Sequence, residues 1–116
     1  MNRNEIAETL RQWIAEGKMS STAMLNKSGM SSHEVGRKCA SGELFRSRHG
    51  AIIFTEDVLR KQMEEWMYGP GKCVYTGADL DSLKGLVTLY DINKACANGE
   101  FLRFADLGKS ATLYIE

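Results

Sequence analysis

Glu34 to Arg46 reads EVGRKCASGELFR, and Asp91 to Arg103 reads DINKACANGEFLR. Laid over one another, the two stretches share five identities, Cys, Ala, Gly, Glu and Arg, and six further positions are conservative. Only Gly36 against Asn93 and Lys38 against Ala95 differ in kind. Such self-similarity marks a supersecondary unit used twice. The flanks agree with this. Ile6, Leu10, Trp13 and Ile14 precede the first copy as Leu59, Met63, Trp66 and Met67 precede the second, and AIIFTE at 51–56 and ATLYIE at 111–116 close the copies. The repeat divides the chain into units 1–56 and 57–116.

Each unit reads as the same series of elements. The first helix, about Asn4 to Glu16, carries the apolar stripe of an amphipathic helix and ends at Gly17. Its counterpart takes Thr55 as N-cap and Asp57 in the first turn, and runs to about Tyr68, where Gly69, Pro70 and Gly71 stop it. A short second helix spans roughly Ser21 to Lys27, or Asp79 to Lys84, ending near Gly29 or Gly85. Ser31, three residues before Glu34, starts the third helix with a capping box; Thr88 and Asp91 offer a weaker version. Val35 and Cys39, like Ile92 and Cys96, share that helix's inner face, and Gly42 and Gly99 mark its end. A two-stranded hairpin follows: ELFRS and AIIFT flank Arg48, His49 and Gly50, while EFLRF and ATLYI flank a longer tip, Ala105 to Ser110. The fold class expected is α+β, mainly α.

Composition narrows the function. At 116 residues and 43% hydrophobic, the chain holds one ordinary domain or two very small ones sharing a core. No apolar run is long enough to span a bilayer, so no membrane partner is expected. The start, MNRNEIAETLRQ, is polar and reads directly into a helix, unlike a secretory signal, so a cytoplasmic protein is expected. Cys39, Cys73 and Cys96 lie far apart without a CxxC pair, which argues against a disulfide framework or a zinc ribbon; neither metal nor cofactor is expected. The chain has neither a phosphate-cradling glycine loop nor HExxH nor a nucleophile motif around its two histidines, and no enzymatic activity is expected. The net charge of zero conceals a polarity. Residues 1–56 hold 8 Lys/Arg against 6 Asp/Glu, and residues 57–116 hold 7 against 9.

Helix, helix, turn, helix and two-stranded wing resembles the winged helix-turn-helix superfamily, here as two tandem units over nearly the whole chain. The resemblance implies double-stranded DNA as partner, read by the exposed residues that open the third helix and gripped by the wing. Residue by residue it implies base-edge contacts from Ser32, His33, Gly36 and Arg37, a backbone contact from Lys38, and wing contacts from Arg46, Arg48 and His49. An arginine fork suits guanine N7 and O6, and a short basic wing suits phosphates or a narrow minor groove. Lys94, Arg103 and Lys109 are the second unit's basic candidates. Its remaining surface carries Leu89, Tyr90 and Leu107, a group better suited to a partner protein or a second copy. A small transcriptional regulator of the phage, plasmid or compact-operon kind is the first reading. A protein-binding adaptor or inhibitor on the same scaffold is the alternative.

Overall fold

Ile52, Ile53 and Phe54 are all buried, and so are Leu113, Tyr114 and Ile115. Segments buried on both faces also need partners for their backbone groups on both edges, and this requirement organises each half of the computed structural model. The structure describes residues 1–48, 51–84, 87–108 and 111–116. The first half runs α1 (Arg3–Ala15), β1 (Met19–Ser21), α2 (Thr22–Lys27), α3 (Ser32–Ser41), β2 (Phe45–Arg46) and β3 (Ile52–Phe54). The second repeats the order as α4 (Asp57–Tyr68), β4 (Val74–Tyr75), α5 (Gly77–Lys84), α6 (Leu89–Ala97), β5 (Leu102–Phe104) and β6 (Leu113–Ile115). The chain is α+β. Each half carries a three-stranded antiparallel sheet with its last strand central, in the order β1-β3-β2 and β4-β6-β5.

The repeat extends to strand register. Met19 and Phe45 both pair with Phe54, as Val74 and Leu102 both pair with Ile115; Ser20 and Arg46 flank Ile53, as Tyr75 and Arg103 flank Tyr114. A one-residue slip would send every side chain to the wrong face, so matched registers mean matched faces. The expected two-stranded wings are therefore corrected to three-stranded sheets. Met19-Ser20-Ser21 has little intrinsic strand preference; it is a strand because β3 needs a partner on that edge.

Helix ends follow local chemistry, with some differences from expectation. Asn2 Oδ1 accepts from the Glu5 amide at 2.9 Å and starts α1. Ser31 Oγ accepts from the Glu34 amide at 3.1 Å, but the Glu34 carboxylate leans toward Lys38, 3.9 Å away. The full capping box belongs instead to α6: the Asp91 amide donates to Thr88 Oγ1 at 3.2 Å and the Thr88 amide to Asp91 Oδ2 at 3.0 Å. The shorter aspartate reaches back to the cap, reversing the expected ranking. Helix α5 starts at Gly77, ahead of Asp79, because Thr76 and Asp79 make the same reciprocal pair, at 2.9 and 3.2 Å. Thr55 does not cap α4; the N-cap is Glu56, without a side-chain bond. Gly42 and Gly99 follow α3 and α6 with φ of 83° and 80°, where a Cβ would be strained.

One apolar cluster joins the halves. Ile6, Leu10 and Phe54 from the first meet Met63, Met67, Phe104 and Ile115 from the second. Helix α1 lies against β1 and β6, and α4 against β3 and β4, so each first helix touches both sheets. Trp13 and Trp66 stack across this junction with ring centroids 5.6 Å apart and planes 11° apart. The opposite face of the second sheet carries a smaller cluster, where Tyr75 and Tyr114 meet Leu80 of α5 and Ile92 of α6. Leu107, expected on a partner surface, is 0% exposed and belongs to the shared cluster. The longer tip of the second hairpin folds its apolar residue inward.

Candidate functional site

Val35 is fully buried and fixes the rotation of α3. Helical periodicity then turns Ser32, His33 and Arg37 outward, and all three are exposed. His33 and Arg37 make no hydrogen bond or ion pair among the described residues. Ser32 Oγ lies 3.4 Å from Asn26 Oδ1 on the preceding helix. Gly36 sits between these residues, and a Cβ added to it would meet nothing within 4 Å, so the backbone there is open to close approach. Lys38 is half-buried, its ammonium 3.9 Å from the carboxylate of Glu34 one turn earlier. Arg46 is exposed in β2, paired in register with Ile53. Arg48 is exposed just beyond it, while His49 lies outside the described residues.

The equivalent turn of α6 has different chemistry on the same frame. Ile92 and Ala95 are buried, which leaves Leu89 at 69% and Tyr90 at 72% exposure, with Asn93 and Lys94 exposed alongside. Ala95 faces inward, where its counterpart Lys38 is half-exposed. Arg103 is exposed in β5; its guanidinium donates to Asn93 Oδ1 and lies 5.6 Å from the Tyr114 ring centroid. These contacts fix its position without neutralising its charge. Lys109 lies outside the described residues.

A groove of about 780 Å³ opens between the start of α5, the outer face of α6 and the second hairpin. Small residues such as Gly77, Ala78, Gly108 and Ala111 line much of it, with Arg103 and Leu89 at its sides. Ala51, from the first hairpin, completes the wall, so this groove adjoins the wing of the first half.

Two further residues escaped the sequence reading. The Arg48 guanidinium lies 4.6 Å from the ring centroid of Tyr68, at the end of α4, and the Lys72 ammonium lies 5.9 Å from the same ring. Lys72 also sits 5.0 Å from the Tyr75 ring and 3.8 Å from Asp79 Oδ1. Burial pushes the Tyr68 phenol above its usual value, Asp79 adds to the rise and Arg48 opposes it. The phenol is neutral at neutral pH, as its ordinary value of 10.0 already requires. In sequence, Tyr68 and Lys72 bracket the GPG turn, and nothing local signals that Arg48 arrives beside them.

Cys39, Cys73 and Cys96 are free and half-buried, and burial raises the Cys73 thiol, the direction that suppresses thiolate chemistry. Among the described residues no group of three His, Cys, Asp or Glu side chains converges as metal ligands would, and no helix is long and apolar enough to cross a membrane. No protein-family model, no curated protein and no solved structure matches the chain.

Proposed function

We propose that the protein is a tandem winged-helix protein that binds double-stranded DNA through its first half and acts as a small transcriptional regulator. The observation that carries this reading is the opening turn of α3. His33 and Arg37 stand exposed around an open Gly36, on a helix anchored by Val35, with exposed Arg46 and Arg48 on the neighbouring hairpin. An uncommitted arginine beside accessible backbone suits a base edge, and the hairpin arginines suit phosphates. The element order and the central last strand in each sheet support the winged-helix assignment.

Fluorescence anisotropy with labelled duplexes over a salt series tests it. Binding is expected to weaken steeply with salt as counterions are released. Arg37→Ala is expected to cost about 1–3 kcal/mol of affinity for the preferred duplex and to relax sequence preference, with far-UV circular dichroism unchanged. Absence of binding to random or genomic DNA at low salt would refute the regulator reading.

Leu89 and Tyr90 favour a second reading, in which α6 docks a partner protein. Adjacent exposed side chains of this size suit a contact with a partner protein. Leu89→Ala with Tyr90→Ala should then abolish a protein complex; a complex that survives the double substitution excludes this surface.

A further inference from the structure

We infer that the groove of the second half, continued by Lys72 and Arg48, is a track for the phosphodiester backbone of double-stranded DNA held by the first half. The inference rests on the DNA-binding reading and extends it across the junction between the halves. Charge is the first argument. The second half carries more acidic than basic residues, yet no Asp or Glu is among the groove's described lining residues, whose charged side chain is Arg103. Arg103 is held in place by Asn93 and the Tyr114 ring, so it keeps its full charge and loses little freedom on meeting an anion.

Shape is the second argument. Gly77, Ala78, Gly108 and Ala111 keep side chains out of the way, which lets a bulky, uniformly charged strand approach the main chain. Continuity is the third. Lys72 and Arg48 both sit near the Tyr68 ring, and the carboxylate between Lys72 and the groove, Asp79, is already engaged by Lys72 and by the amide of Thr76, which lines the groove. Arg48 belongs to the first hairpin, and Ala51 of that same hairpin forms part of the groove wall. A duplex against α3 and this hairpin would therefore meet Lys72 and Arg103 next.

The test uses the full chain and a fluorescein-labelled duplex of arbitrary sequence, with affinity measured at about 50 and about 200 mM salt. A lost phosphate contact lowers the salt slope by about one, so the wild-type advantage over Lys72→Ala or Arg103→Ala should shrink roughly threefold across that range. The losses should be similar for every duplex sequence, and Arg103→Lys should restore the slope because a phosphate needs only the charge. Lys61→Ala, which removes an exposed charge near the start of α4, should leave the slope unchanged. If Arg37→Ala weakens binding while Lys72→Ala and Arg103→Ala keep wild-type affinity and slope, the track is refuted and the first-half reading stands. An equal slope change in Lys61→Ala also refutes the track, since overall charge then accounts for the effect. If the wild-type chain binds no duplex at low salt, both readings fall.

Discussion

Tyr75 couples the second sheet to the end of the chain. Its hydroxyl donates to Glu116 Oε2 at 2.8 Å, and its ring meets Phe101 edge-on at 5.7 Å between centroids. Burial, then the bond to the Glu116 carboxylate, pushes the phenol up to about 12. A phenol raised in the folded state contributes its full stability below the ordinary tyrosine value near 10 and loses it as pH climbs toward 12. Stability is expected to fall by on the order of 2 kcal/mol across that window, read as a declining urea midpoint. Tyr75→Phe should flatten that decline, and an unaltered slope would exclude Tyr75 as its source. Leu107 makes a second test at this scale. Truncation to Ala should cost about 2–5 kcal/mol, far more than an exposed hairpin tip would. Its direction was not legible locally: Asp106 and Gly108 beside it read as a solvent-facing turn. The outward positions of α3 and α6 were legible, because Val35 and Ile92 reveal the inner face by helical spacing alone.

Elements are legible in the sequence where their determinants lie within a few residues. The amphipathic stripes of α1 and α4, the cap at Ser31 and the glycines after α3 and α6 are all of this kind. The relative strength of two similar caps was not, since it depended on Glu34 turning to Lys38 and Asp91 turning back to Thr88. Thr88→Ala removes the two bonds of Thr88 Oγ1, to the Asp91 amide and to its carboxylate, while the residue-88 amide can still donate to Asp91; it is expected to cost about 1 kcal/mol, lowering Tm by roughly 4 °C. Ser31→Ala removes a single bond and should cost less; calorimetry on the two variants gives the ranking, and a larger loss at Ser31 would reverse it. The strands β1 and β4 went unread for a related reason. Two or three residues without alternation carry no period, and their pairing is imposed by β3 and β6 from more than thirty positions away.

At the scale of the whole molecule, packing joins the two halves. The core draws on both halves, the Trp13 and Trp66 rings stack between them, Arg11 pairs with Asp106 at 3.4 Å, and Arg3 donates to the Gly99 carbonyl. Neither half buries its first helix without the other, so unfolding is expected to be a single transition, coincident by tryptophan fluorescence and far-UV circular dichroism. A chain restricted to residues 1–56 should lack cooperative unfolding; two separated transitions in the full chain would show instead that the halves are independent. The sequence by itself determined the repeat, the order of the helices and the outward positions of α3 and α6, because periodicity, caps and turn glycines act over a few neighbouring residues. Tertiary structure alone decided that the halves share a core, that Leu107 points into it and that Arg48 meets Tyr68 and Lys72, because each depends on surfaces brought together from distant parts of the chain.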